Sequence, residues 1–284
     1  MILVTGATGH VGGELTARLA GAGRPVRALV RKADGPGAAA LPAGARAAAG
    51  DLDRPESLRP ALEGVRGVFL LPGYADMPGL LAECARAGVE HVVLLSSIAA
   101  PDGDMENAIS RFMILSEEAV RDSGLPWTIL RPSGFMSNTF QWTAQLAAGD
   151  VVRAPFPAVP VAMIDPYDIA AVAAHVLLDP DHHGRAHALS GPEPLLPADR
   201  VRVLGEVLGR PLRLVGLSDE EARKEMADSG TPPEYVDAFF RYYAEGTLDD
   251  SVVRPTVAEL LGRPPRTFTQ WARAHADAFQ EDHS

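Results

Sequence analysis

The chain of 284 residues holds a single cysteine, Cys84, so neither an internal disulfide nor a cysteine metal cluster can form within it. Cys84 falls in an apolar helical pattern and reads as a small core residue, and no metal site is expected. Lysine is scarce as well: Lys32 and Lys224 are the only two. No apolar run reaches the roughly 18 residues that a spanning helix needs, and the strand-like start at Met1 leaves no room for a targeting peptide. A cytoplasmic location without membrane attachment is therefore expected. No basic stretch offsets a formal charge of −11, which argues against a nucleic-acid partner.

What is present is apolar and rich in small residues. Hydrophobic residues make up 46% of the chain, enough for a sizeable core, and Gly and Pro number 27 and 24. Arginine in place of lysine, with abundant Ala, Gly and Pro, is the bias of a high-GC bacterial genome. The length exceeds one average domain and suits a nucleotide-binding fold with an appended substrate region.

The chain is organised around its first thirteen residues. The apolar run Met1-Ile2-Leu3-Val4 ends at Thr5, glycines follow at Gly6, Gly9 and Gly12, and an amphipathic segment with Val11, Leu15 and Leu19 begins at once. This is a strand, a tight turn and a helix. Gly6 permits the sharp exit from the strand, Gly9 lets a pyrophosphate lie against backbone N–H groups at the helix start, and Gly12 lets the helix pack closely on the strand. An ordinary glycine-rich turn is the plainer alternative, but the strand before and the helix after are the context of a dinucleotide fingerprint.

Pro25 to Val30 reads as the second strand, and Arg31-Lys32 closes it where the adenosine ribose lies in such folds. Basic residues there accommodate the 2′-phosphate of NADP, although a solvated pair is the other reading. Residues 33–44 form a small-residue loop and Ala45 to Ala49 a weak third strand. Asp51 is placed to cap a helix near Pro55 to Leu62. Val68 to Leu71 is a continuous apolar run, as in a strand covered on both faces, and Pro72-Gly73 turns the chain where a cofactor would pass. A helix over 77–87, a fifth strand from His91, a helix over 107–123 and a strand Trp127 to Leu130 follow. This alternation predicts an α/β, Rossmann-type doubly wound parallel sheet with ligands at the carboxyl ends of its strands.

Beyond 138 the rhythm loosens. Val159 to Ile164 and Ala186 to Leu189 read as strands, and Asp165 caps a helix opened by Pro166. Ser218 and Glu221 make a capping box, Gly230-Thr231-Pro232-Pro233 breaks that helix, and a second helix carries Phe239, Phe240, Tyr242 and Tyr243. The expected division is an NADP-binding core over 1–138 and a smaller substrate region over 139–284. Parts of 139–190 are expected to return to the core sheet, and 218–245 to form a two-helix lid.

The string Thr5-Gly6-Ala7-Thr8-Gly9-His10-Val11-Gly12, together with Ser123-Gly124-Leu125-Pro126-Trp127 through Arg131-Pro132, resembles the atypical short-chain dehydrogenase/reductases, in the NmrA-like branch. The likeness is strong over the first half and weaker beyond. It implies NADPH or NADP as cofactor, held along Gly6, Thr8, Gly9, His10, Val11 and Gly12, then Arg31 and Lys32, Asp51 and Leu52, Leu71 and Pro72, Ser96, Pro132 and Phe135. Ser97 takes the place of the catalytic serine, with a turn serine as the alternative.

Most members of that superfamily transfer a proton through a Tyr with a Lys four residues later, the cation lowering the phenol pKa. Here that pair is missing: the tyrosines stand at 74, 167, 235, 242 and 243, none with such a lysine, and the corresponding helix carries Ile114 and Glu118. Three functions remain open. The first is an NADPH-dependent ketoreductase acting on a ketone or quinone of a hydrophobic polycyclic molecule, such as an aromatic polyketide of the angucyclinone type, with the proton supplied by water, by Ser97 or by the substrate's own phenol. The second is a cofactor-sensing regulator that binds a partner protein, and the third an NADPH:quinone oxidoreductase. Met136, Trp142, Phe239, Phe240 and Tyr243, with Ser97, are the expected lining of an apolar substrate pocket, which favours an enzyme; helix-core packing is the competing role for these aromatics.

Overall fold

Ile2, Leu3 and Val4 are all buried, as a strand covered on both faces requires, and form β1 (Ile2–Val4) near the middle of the main sheet. The structure is a computed structural model that describes residues 1–101 and 103–280. After β1 come α1 (His10–Gly21), β2 (Val26–Val30), α2 (Pro36–Ala39), β3 (Ala45–Ala49) and a 3-10 turn running into α3 (Arg59–Leu62). Then follow β4 (Gly67–Leu70), α4 (Met77–Arg86), β5 (His91–Leu95), α5 (Ala108–Asp122) and β6 (Trp127–Pro132). The short α2 lies inside the stretch expected to be loop.

The second half contributes a 3-10 segment (Met136–Trp142), α6 (Thr143–Ala148), β7 (Val151–Ala154), α7 (Pro166–Leu178) and β8 (Arg185–Leu189). It ends with α8 (Pro197–Leu208), β9 (Arg213–Gly216), α9 (Asp219–Asp228), α10 (Pro233–Tyr243), α11 (Thr256–Leu261) and α12 (Phe268–Ala274).

Seven strands pair in the order β3-β2-β1-β4-β5-β6-β8, every pair parallel. The order reverses between β1 and β4, and the crevice outside that switch point is where such sheets bind dinucleotides. Val11, Leu15 and Leu19 of α1 pack with Ile169, Val172 and Val176 of α7 on one face. Leu58, Leu62, Leu80, Leu81 and Cys84 cover the other. Burial raises the Cys84 thiol pKa to about 12, in keeping with a core residue.

Residues beyond 138 thus supply both the last strand of the sheet, β8, and the helix α7 that covers α1. Asp165 caps α7 by accepting from the Tyr167 N–H at 2.9 Å. The strand expected over 159–164 is absent: Val161 and Ile164 make only isolated bridges, to Leu195 and Phe135. Pro160 within the segment and Pro155 and Pro157 just before it remove the donors that a ladder needs. A separate parallel pair, β7 with β9, forms instead. It lies against an apolar cluster of Trp142, Leu204, Phe268, Trp271 and Phe279. No helix among the described residues is long and apolar enough to cross a membrane.

Candidate functional site

The glycine turn after β1 is locked by backbone contacts. Gly6 has φ of +60°, its carbonyl accepts from the Gly9 N–H at 2.9 Å, and the Thr5 hydroxyl accepts from the Leu71 N–H at 3.0 Å, tying the turn to the end of β4. A Cβ on Gly12 would stand 2.2 Å from the Gly6 oxygen, so a side chain there would push α1 off the turn. Gly9 is the N-cap of α1 and supplies no capping side chain, which leaves first-turn N–H groups for an anion. Thr8 and His10 are exposed beside it, whereas the Val11 side chain is buried in the core.

From this turn a cleft of about 550 Å³ runs over the ends of β1, β2 and β3, lined among others by Thr8, Arg31, Lys32, Asp51 and Tyr74. Arg31 and Lys32 are exposed there and make no ion pair among the described residues. A compact glycine cradle beside two unpaired cations fits a dinucleotide carrying a 2′-phosphate. Asp51 does not cap the following helix, whose N-cap is Arg54; its carboxylate accepts from the Asp53 N–H at 3.1 Å and meets Arg54 at 3.4 Å. Leu52 is buried and reaches the cleft at its edge. Tyr74, which sequence reading passed over, lies along the same wall, its phenol pKa raised by burial and then by the Asp53 carboxylate.

Leu71 crowds Gly6, its Cδ1 standing 2.5 Å from where a glycine Cβ would be, and Pro72 follows in the turn. Ser96 is turned away from the cleft: its hydroxyl donates to Glu117 Oε1 at 2.6 Å. Glu117 also accepts from Arg131 at 2.6 and 2.8 Å and from Arg121 at 2.6 Å. Burial alone would raise the Glu117 pKa, yet the hydrogen bonds from Arg131 and Ser96 hold it low. The Ser96 N–H is bonded to the Leu130 carbonyl at 2.7 Å, so of Ser96 only the carbonyl remains for a cofactor. The Ser97 hydroxyl accepts from the Ala99 N–H at 3.2 Å, the geometry of a turn serine. On α5, Ile114 is half-buried and Glu118 exposed.

Pro132 is buried at the end of β6, and Phe135 is half-buried and bridged to Ile164. The chain continues from them into a second cavity, of about 480 Å³, whose walls include Asn138, Trp142, Phe156, Met163, Phe239 and Tyr243. Trp142, Phe239 and Tyr243 of the expected substrate residues are thus brought together, whereas Ser97, Met136 and Phe240 do not line this cavity. Met136 is 1% exposed, with its N–H bonded to the Ile164 carbonyl, and Phe240 is 3% exposed and packed edge-on against Phe156 at 5.0 Å. Both are core, because successive residues on a helical turn cannot all face one cavity. Phe156 has the only positive φ among the described non-glycine residues, 52°, and its ring is wedged between Phe240 and Tyr243.

Sequence reading missed Arg200 and Asp250. Arg200, on α8, lines this cavity, and the Tyr243 hydroxyl donates to Asp250 Oδ2 at 3.2 Å. Burial raises the Asp250 pKa to about 7, against the lowering effect of the Gly134 N–H and Tyr243 hydrogen bonds. These residues carry no local motif and meet only through the tertiary fold. Another unanticipated grouping lies elsewhere, where His175, Asp179 and His182 bring ligand-type atoms within 4.8 Å of one another.

Residues 6–180 match the NAD(P)H-binding family. The (4-alkanoyl-5-oxo-2,5-dihydrofuran-3-yl)methyl phosphate reductase of Streptomyces griseus subsp. griseus is 44% identical, across 98% of this chain and 99% of its own length. The NAD(P)H azoreductase of Xenophilus azovorans is 38% identical with the same coverage. The structure superposes on the NADPH-dependent quinone oxidoreductase of Escherichia coli in complex with NADPH with a TM-score of 0.79, at 23% identity over 98% of this chain and 100% of that one. It superposes on the transcriptional regulator NmrA in complex with NAD with a TM-score of 0.73, at 20% identity over 96% and 94% of the two chains. The last two establish a shared fold. The chain belongs to the NAD(P)H-binding family, has the fold of the NmrA-like atypical short-chain dehydrogenase/reductases, and falls among their NAD(P)H-dependent reductases.

Proposed function

We propose that the protein passes hydride from NADPH to a conjugated, electron-poor acceptor, an unsaturated carbonyl or a quinone, on a small and mainly hydrophobic substrate. The observation that carries this reading is the apolar cavity beside the end of β6, which offers Tyr243 as its hydroxyl and lacks a lysine-tuned tyrosine. Hydride addition to an isolated ketone leaves a localised alkoxide that needs a matched acid. Addition at the far end of a conjugated system forms the new C–H bond while the π electrons shift to the carbonyl oxygen. The resulting enolate or hydroquinone anion is stable enough to be held by hydrogen bonds and protonated later.

NADPH, when bound, supplies the hydride. The glycine turn would hold its pyrophosphate and Arg31 with Lys32 its 2′-phosphate, while Leu71, Pro132 and Phe135 border the path toward the cavity. Tyr243 would donate to the oxygen that gains charge. Asp250, when protonated, can donate to the Tyr243 oxygen and so turn the phenolic hydrogen toward the cavity. The named substrates of the two relatives agree with this chemistry, one an acylated oxo-dihydrofuran and the other an azo compound.

A flat polycyclic quinone or ketone of the aromatic polyketide type is the second reading, favoured by the Trp142, Phe156 and Phe239 walls. There a phenol beside the carbonyl would hold the charge. A sensor that only binds a partner would have no use for a half-buried tyrosine on a cavity wall backed by a buried carboxyl, and the reductase reading is preferred on that ground. The test is NADPH consumption, with product mass, against an acyl butenolide, a naphthoquinone, a hydroxylated anthraquinone and an unconjugated cyclic ketone. Turnover of conjugated acceptors alone is expected; comparable turnover of the unconjugated ketone would overturn the proposal.

A further inference from the structure

Arg200 is the group that hydride transfer does not account for. It is 8% exposed, lies with its guanidinium 4.8 Å from the centre of the Trp142 ring, and has an Nε atom sealed from solvent with no hydrogen-bond partner. Among the described residues it makes no ion pair, and no Asp or Glu lines the cavity it borders. The acids nearest in chain or fold are committed elsewhere. Asp199 accepts from the Leu196 N–H at 3.1 Å, and Asp250 accepts from Tyr243 and Gly134 behind the cavity wall.

Burial lowers the Arg200 pKa to about 10, which leaves the side chain cationic at neutral pH. A buried cation without a counter-charge is unfavourable, and the face of an aromatic ring offsets only part of that. Three neutral polar side chains border the same space, Ser137, Asn138 and Gln141, and none makes a side-chain hydrogen bond among the described residues. One cation and three unused polar side chains thus face a cavity that is otherwise apolar.

We propose that Arg200 is the receptor for an anionic group on the substrate, a phosphate monoester, and that Ser137, Asn138 and Gln141 complete its binding. This rests on the reading that the cavity is the substrate site. A carboxylate has two oxygens, which the guanidinium fork alone can satisfy. A phosphate monoester has three terminal oxygens and uses the fork together with the hydroxyl and amides. The substrate class is then an amphiphile with a phosphorylated end at Arg200 and an apolar, conjugated body along Trp142, Phe156 and Phe239.

The test is calorimetry on protein saturated with NADP, so that Arg31 and Lys32 are occupied, with hexyl phosphate, hexanoate and hexanol as probes. Hexyl phosphate is expected to bind the unmodified protein at least about tenfold more tightly than hexanol does, and Arg200→Gln to lose that advantage while Arg200→Lys keeps part of it. Equal binding of hexyl phosphate and hexanol by the unmodified protein would overturn the proposal, and this needs no variant to fold. Equal affinity of hexyl phosphate for the unmodified protein and a folded Arg200→Gln would do the same, and hexanoate binding as tightly as hexyl phosphate would overturn the choice of phosphate. NADPH consumption by the unmodified protein with the neutral quinone menadione is read separately. Its presence without phosphate selectivity removes only the anion receptor, and its absence with selectivity intact removes only quinone reduction.

Discussion

The Tyr243 hydroxyl and the Asp250 carboxylate, seven positions apart and 3.2 Å from each other, join the wall of the second cavity to the backbone just after β6 through the Gly134 N–H. A carboxyl with a pKa near 7 at this point makes the protonation of the pair depend on pH in the neutral range. If the protonated carboxyl feeds Tyr243, turnover falls as pH rises through about 7. Asp250→Asn should flatten that limb of the pH–rate profile, and Tyr243→Phe should lower kcat by about a hundredfold or more. Unchanged kcat and pH profile in both variants would remove the pair from the reaction.

Arg31 and Lys32 make no ion pair among the described residues, so their charge is available to the cofactor. Arg31→Ala is expected to weaken NADPH binding by about tenfold or more and to leave NADH binding unaltered. Calorimetry with both cofactors checks this, and equal affinity for the two in the unmodified protein would refute it.

Ser97 and Glu117 should respond in opposite ways. Ser97→Ala loses a turn contact only and is expected to retain most of its turnover. Glu117→Ala leaves the hydroxyl of Ser96 and the guanidinium of Arg131, 19% exposed, without their acceptor. Removing one member of a buried ion pair costs about 3–5 kcal/mol, which denaturant titration would register.

The segment 218–245 is expected to act as a two-helix lid over the second cavity, to which it contributes Met226, Phe239 and Tyr243. It is held by polar contacts at its edges: Arg153 to Glu225 at 2.8 Å, the Asn107 amide to the Ala238 carbonyl at 3.1 Å, and Ser110 with Tyr242 at 2.8 Å. Amide exchange should be faster here than in the main sheet and should slow when substrate binds. Protection equal to that of the sheet in both states would make the segment fixed core.

Acid stability follows from the buried histidines. Burial, and after it neighbouring histidines, lower the pKa of both His91 and His187 from 6.5 to about 4. Between those values the unfolded chain binds more protons than the native one, so these two residues make stability rise with pH across that window and contribute no further change below it. Asp250, raised to about 7, has the opposite sign over the range from its ordinary value upward. The urea midpoint should therefore climb between about pH 4 and 6.5, less steeply in His187→Gln and more steeply in Asp250→Asn.

The first half of the fold was legible because each element there carries a local signal: a glycine turn, a run of apolar residues, a capped helix. Beyond residue 138 local signals misled. Val159 to Ile164 has the side chains of a strand, but its proline and those just before it deny it a ladder. Val151 to Ala154 and Arg213 to Gly216 are too short to be read as strands until each has the other as partner. At the site, the glycine turn was visible because the chain itself fixes the spacing of Gly6, Gly9 and Gly12. Tyr243 was visible on its aromatic helix, whereas Arg200 and Asp250 carry no motif, and only burial, with no counter-charge for Arg200 and with the bond to Tyr243 for Asp250, makes them conspicuous.

The packing of α7 on α1 has a consequence for how the molecule is made. The residues that would cradle the cofactor leave the ribosome well before α7, and the apolar face of α1 has to wait for Ile169, Val172 and Val176, more than a hundred residues later. The sheet is likewise without its last strand until Leu189 has emerged. Translation cannot deliver a finished dinucleotide module ahead of the rest, and a nascent chain halted at 138 would leave the helix behind its glycine turn uncovered. Cofactor binding on stalled chains should begin only once α7 and β8 are outside the exit tunnel.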